Sequence, residues 1–192
     1  MGMKQTLAVI NEMEADGIVG RYAISGAIAA YNYIEAAVTD DLDILVAFED
    51  MDNQTPSGLI TLAPIYSYLK AKGYGEHRKE GIVIEGWPVQ FLPVTDPLDA
   101  EALARAEEVE IKFGPTEGSA KTRILRPEHL VATALRVGRP KDLIRIAQFL
   151  DEKSIDLKAL CELLARHGLR ETWRTFCGRT GIADPCEVQR QP

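Results

Sequence analysis

Apolar positions along this chain recur with two different periods, and the switches between them outline its elements. From residue 3 to about residue 15, Leu7, Val9, Ile10 and Met13 fall at helical spacing and end near Asp16-Gly17, which predicts a packing helix. A short apolar run, Tyr22-Ala23-Ile24, stops at Ser25-Gly26-Ala27, and small residues continue through Ala30. Thr39-Asp40-Asp41-Leu42-Asp43 then leads into Ile44-Leu45-Val46-Ala47-Phe48. The stretch from Arg21 to Glu49 therefore predicts strand, turn, helix, strand.

After the polar, turn-rich stretch 50–58, the apolar positions Leu59, Leu62, Ile65, Tyr66 and Leu69 share a helical face as far as Lys72, with Gly73 as the C-cap. Residues 74–80 are polar and predicted extended. Residues 81–93 predict two strands around Gly86-Trp87-Pro88. An acidic helix is expected from Asp99 to Glu108, a strand over 109–113, a loop over 114–118 and a strand over 121–125. Pro127 opens a helix that Gly138 closes. Three further apolar stripes follow: Leu143, Ile146, Ala147 and Leu150; Leu157, Leu160, Leu163 and Leu164; Leu169, Trp173 and Phe176. Strands first and helices afterwards make an α+β order. The expected division is an α/β core over 1–113, a closing strand with a helical part over 114–180, and a polar, frayed tail over 181–192.

Composition narrows this picture. With 192 residues, 46% of them hydrophobic, the chain can bury a good core. A net charge of −7 argues against a broad nucleic-acid-binding surface and leaves room only for a local basic cleft. No apolar run approaches a membrane span, and Met1-Gly2-Met3-Lys4 leads into an amphipathic segment rather than a signal peptide. Cys161, Cys177 and Cys186 are too few and too scattered for a disulfide framework or a zinc site, and Cys161 reads as a small core residue. The expectation is a cytoplasmic protein with no membrane partner. His77, His129 and His167 have no partners at ligand or triad spacing, so none receives a catalytic role.

The chemistry concentrates at Asp41 and Asp43. Two residues apart on a strand, they point to one face while Leu42 and Ile44 point to the other. Like charges roughly 7 Å apart repel unless water or a cation lies between them. Mg²⁺ suits that place, because it takes carboxylate oxygens and keeps other positions for water and phosphate. Ser25-Gly26, at the mouth of the following helix, is expected to offer free backbone N–H groups to an anion, and Gly26 lets a phosphate approach closely. Metal on one strand and phosphates at the neighbouring turn describe a nucleoside triphosphate site.

An apolar strand, Gly-small, helix and then Thr39-x-Asp41-apolar-Asp43 on a strand resembles the nucleotidyltransferase fold. The closest likeness is to its AbiEii-like branch, which includes toxins of type IV toxin–antitoxin systems. The resemblance extends to Lys141-Asp142 at the head of a helix. It implies a mixed β-sheet flanked by helices, with a C-terminal helical bundle. It further implies transfer of a nucleotidyl group from an NTP to a tRNA, protein or small-molecule acceptor, and a cognate antitoxin as partner. Asp41 and Asp43 would hold Mg²⁺ and carry catalysis. Ser25, Gly26, Thr39, Lys141 and Asp142 would bind the nucleotide.

Several positions depart from that pattern. Ala27 stands in the second glycine's place and Ala37 where an arginine often precedes the threonine. Ala134 replaces a lysine and Arg145 an aspartate. Gln90 occupies the third-acid position, where an amide supplies hydrogen bonds but no charge. The alternative function is accordingly a catalytically degenerate module that binds a nucleotide or a partner on the same fold. For Lys141 and Asp142, the competing reading is a solvated lysine and an acid serving the first turn of a helix.

Overall fold

A computed structural model describes residues 2–35, 38–48, 61–114 and 118–187. The polar stretch 50–58, Leu59 and Ala37 lie outside the described residues. The chain divides into two compact units, one of Met1–Ala29 and Ala37–Leu125, the other of Ala30–Ala36 and Arg126–Pro192.

The first unit contains α1 (Met3–Ala15), β1 (Tyr22–Ile24) and the start of the short α2 (Gly26–Ala30). It continues with β2 (Leu42–Val46), α3 (Ala63–Ala71), β3 (His77–Arg78), β4 (Gly81–Ile84), β5 (Trp87–Pro93), α4 (Pro97–Ala104), β6 (Glu107–Lys112) and β7 (Ser119–Ile124). The seven strands found among the described residues form one mixed sheet in the order β3-β4-β5-β2-β1-β7-β6. β1 runs antiparallel to β2 and parallel to β7, while β2 runs parallel to β5. The chain is thus mixed α+β, with a mixed sheet accompanied by helices. Leu7, Ile10 and Met13 of α1 are fully buried, as are Tyr22 and Ile24 of β1 and Leu42 and Ile44 of β2. A strand flanked by partners on both sides buries its apolar face completely, as β1 and β2 do here.

Local chemistry explains most boundaries and corrects some. The β4–β5 connection turns at Glu85 and Gly86, with φ of 51° and 92°, as a two-residue hairpin requires. Trp87 and Pro88 lie inside β5 and not in the turn. The acidic helix ends at Ala104, short of the expected Glu108. Glu107 and Glu108 instead begin β6 and pair with Ile124 and Arg123 of β7. Cross-strand pairing here overrides the helix propensity of glutamate. The same pairing places the division of the chain after Leu125, because a cut at 113 would separate β6 from its partner β7.

The second unit holds α5 (Pro127–Val137), α6 (Pro140–Asp151), α7 (Leu157–Arg166) and α8 (Arg170–Thr180). Proline opens α5, and Gly138 closes it in the left-handed region at φ 70°, its N–H donating to the Ala134 carbonyl at 2.8 Å. α5 packs against the other three helices, with Phe149, Leu160, Leu164 and Trp173 buried among them. The tail differs from its expectation. Cys186 is joined to Cys161 of α7 by a disulfide, and the Asp184 carboxylate accepts from Trp173 Nε1 and the Cys186 N–H, each at 2.9 Å. Residues 181–187 are therefore tied down, and Cys161 is half of a cross-link as well as a buried core residue. Cys177 remains a buried free thiol, which burial pushes up to about 11. Among the described residues no helix is long and apolar enough to cross a membrane.

Candidate functional site

β2 brings the paired acids to one end of the sheet. Leu42 and Ile44 are completely buried, while Asp41 before them and Asp43 between them remain partly exposed, so burial alternates over 41–44 as a strand demands. Asp41 stands one residue before the strand and Asp43 lies within it. The Thr39 hydroxyl donates to Asp41 Oδ1 at 2.7 Å and fixes that carboxylate.

The turn after β1 meets Asp43 directly. Ile24 pairs with Ile44, and one step further the Ser25 N–H donates to the Asp43 carbonyl at 2.8 Å. Gly26 follows with φ +61°. A Cβ placed on Gly26 would lie 2.0 Å from Asp43 Oδ2 and 2.9 Å from its Cγ. Only a hydrogen fits there. The Asp43 side chain thus rests on the α-carbon of Gly26, and a glycine is required both by the backbone angle and by this approach.

Ser25, Gly26, Thr39, Asp41 and Asp43 are therefore gathered in the first unit, with two changes from expectation. The Ser25 N–H is engaged in the sheet and is not a free donor. α2 is only five residues long, so the partial charge at its start is smaller than that of a full helix. Thr39 directs its hydroxyl at a carboxylate, which makes it an orienting group for Asp41.

Gln90 occupies the position in β5 directly in register with Asp43. Its Nε2 donates to Glu80 Oε2 at 3.1 Å. Next to Glu80, Lys79 takes a left-handed φ of 54° and donates to Asp40 Oδ1 at 2.5 Å. That bond holds the Asp40 carboxyl below its ordinary value and raises the Lys79 ammonium, to which Asp41 adds a smaller attraction. Both partners are largely exposed, so solvent screens the pair and it serves position more than stability. Lys79 and Glu80 went unnoticed in the sequence because residues 74–80 read as a featureless polar segment. The signal for the hairpin was Gly81, whose Cβ would lie 2.9 Å from the backbone N and O of Val89.

Among the described residues, no three histidine, cysteine or acidic side chains gather into a metal-binding group. The donor set at the end of β2 is nonetheless suited to a hard divalent cation: two carboxylates two residues apart, one held by Thr39 and one seated on Gly26, with an amide alongside. Mg²⁺ fits this chemistry through Asp41 and Asp43.

Lys141 and Asp142 belong to the second unit, in the first turn of α6. Lys141 is exposed. Asp142 is 2% exposed, and its oxygens accept from Arg139 Nε at 2.7 Å and Arg139 Nη2 at 3.3 Å, with Arg145 Nη1 3.9 Å away. Arg145, unexpected at an acidic position, thereby has a local partner. Ala134 is buried on α5.

No protein-family model matches the chain, and no curated protein sequence does. Among solved structures it is similar to an antigenic nucleotidyltransferase-like protein from Paracoccidioides brasiliensis, with 13% sequence identity over 78% of this chain and 75% of that one, at a TM-score of 0.46.

Proposed function

We propose that the protein binds a nucleoside triphosphate together with a divalent cation at Asp41 and Asp43, and transfers the nucleotidyl group to a hydroxyl or amine acceptor. The observation that supports this most is the seating of Asp43 on the bare α-carbon of Gly26, next to an Asp41 whose carboxylate Thr39 holds in place. A bound Mg²⁺ would supply positive charge to the triphosphate and to the oxygen that leaves with pyrophosphate. Asp41 and Asp43 would hold that charge, Thr39 keeps Asp41 from rotating, and Gly26 leaves room for the Asp43 carboxylate against the backbone. Ser25 serves by joining this turn to β2. The Asp142 carboxylate faces Arg139 and Arg145, so we assign it to the start of α6, and Lys141 receives no step.

A second reading, binding without turnover, draws support from Gln90. An amide in register with Asp43 can neither add a third negative charge nor accept a proton from an attacking hydroxyl.

Calorimetry with Mg²⁺ and each of the four common NTPs tests the common part. Wild type is expected to bind one NTP only with metal present, and Asp41→Asn or Asp43→Asn to weaken it by at least ~10–100-fold, the range seen when metal sites lose a supporting group. Asp151→Asn, on α6, should change nothing. Equal affinity with and without Mg²⁺, or equal loss in the Asp151 variant, would refute the site. Labelled NTP offered with tRNA, protein and aminoglycoside acceptors then separates transfer from binding alone.

A further inference from the structure

We propose that Gln90 supplies a neutral oxygen ligand to the cation at Asp41 and Asp43, and that Glu80 is the residue that aims it. This rests on the metal-site reading above and extends it to a second layer.

Gln90 and Asp43 are direct partners across two parallel strands, so their side chains leave the same face of the sheet at neighbouring positions. The orientation of the amide follows from its other contact. A carboxylate oxygen accepts and does not donate, so the Gln90 atom 3.1 Å from Glu80 Oε2 is the nitrogen. In the strand order β4-β5-β2, Gln90 lies between the strand that follows Glu80 and the strand that carries Asp43. With its nitrogen committed to Glu80, the amide oxygen is the atom left to serve a cation at the paired acids.

The contact is built into the backbone. Gly81 brings the start of β4 so close to Val89 that no side chain would fit, which sets Glu80 beside Gln90. Lys79, preceding Glu80, is paired with Asp40, preceding Asp41, so the same turn is anchored on the acid segment as well. Amide oxygens are hard ligands for Mg²⁺ and Mn²⁺, and groups that orient a ligand tune metal affinity nearly as strongly as the ligands do. With an amide in place of a third carboxylate, the site keeps three oxygen donors and carries one negative charge fewer.

Mn²⁺ binding to the full chain, followed by the electron paramagnetic resonance of the free ion, tests this without reference to turnover. Gln90→Leu is expected to weaken Mn²⁺ binding by roughly 10-fold or more, and Glu80→Gln, an exposed change that the fold tolerates, by roughly 3–10-fold. Because Glu80 acts only through Gln90, Glu80→Gln added to Gln90→Leu should cost nothing further, whereas a general electrostatic effect of Glu80 would persist. Gln90→Glu combined with Glu80→Gln should bind more tightly than wild type. If Gln90→Leu binds within twofold of wild type while Asp41→Asn does not bind, Gln90 is no ligand and the two-acid site survives. If wild type and Asp41→Asn bind Mn²⁺ equally, the metal site itself is refuted and this inference with it.

Discussion

The close approach of Gly26 to Asp43 yields a sharp test of the site's construction. Gly26→Ala makes two separate demands. An alanine held at φ +61° sits in the left-handed region, which costs an L-residue about 1–2 kcal/mol. The new methyl would also stand 2.0 Å from Asp43 Oδ2, so that side chain must leave its rotamer well at a cost on the order of 0.5–1.5 kcal/mol. Together the substitution should destabilise by about 2–3 kcal/mol, lowering Tm by roughly 4–12 °C for a chain of this length. Gly86→Ala is the control, since Gly86 also has positive φ, 92°, but has nothing within 4 Å of a new Cβ; it should lose only the backbone part. The clash itself is isolated by Asp43→Ala, which removes the two nearest atoms. Gly26→Ala and Asp43→Ala should therefore be non-additive, the double variant being more stable than the sum of the single changes predicts by about 1 kcal/mol. Mn²⁺ binding should fall in Gly26→Ala even at temperatures where the protein is fully folded, because the carboxylate has been turned. Strict additivity, together with a loss no greater than that of Gly86→Ala, would refute the packing of Asp43 on Gly26.

Two other perturbations probe the remainder of the chain. The Tyr74 hydroxyl donates to Glu85 Oε1 at 2.7 Å, and that bond, with burial second, raises its pKa from 10.0 to about 12. The folded state thus keeps a proton that the unfolded state has lost, so this contribution to stability is complete below pH 10 and fades as pH rises from about 10 to 12; Tyr74→Phe should abolish one high-pH phenolate transition in the ultraviolet titration, and unchanged curves would refute it. Thiol titration in denaturant should find one reactive cysteine before reduction and three after, given the Cys161–Cys186 bond and free Cys177. Reduction opens the loop between Cys161 and Cys186 in the unfolded chain, raising its entropy, and should lower the stability of the helical unit by up to about 3–4 kcal/mol; three thiols at the outset would overturn the pairing.

Legibility in the sequence followed the range of the interaction concerned. α5 was read correctly from Pro127 to Val137 because proline and the left-handed Gly138 act on their own backbone angles. The alternation of Asp41, Leu42, Asp43 and Ile44 was equally plain, since a strand imposes it whatever lies alongside. What lay out of reach depended on partners distant in the chain. Glu107 and Glu108 have helical propensity, yet β7 draws them into a strand. Cys161 and Cys186 are 25 residues apart, and their meeting depends on how the segment after α8 returns to α7. The Ser25 N–H looked free because helix mouths leave donors unpaired, but the β1–β2 ladder extends one residue further and takes it.

Gln90 shows why the long-range part matters most for chemistry. Read as a substituted acid, it is only a loss of charge. Placed in register with Asp43 and bonded to Glu80, it becomes an amide of fixed direction whose oxygen can still serve a cation. Holding a metal–nucleotide complex requires oxygen donors at set positions, and Gly26, Thr39 and Glu80 each hold one such donor in place. Activating an acceptor requires a group that takes a proton, which an amide does not do, and general-base assistance is typically worth ~10²–10⁴-fold in rate. The two requirements therefore separate at a single position. Gln90→Asp, by restoring a base there, should raise transfer toward that range while leaving the Gly26–Asp43 contact untouched. If wild type already transfers briskly and Gln90→Asp is no faster, the acceptor is activated without a base at residue 90, and the charge missing there has no catalytic consequence.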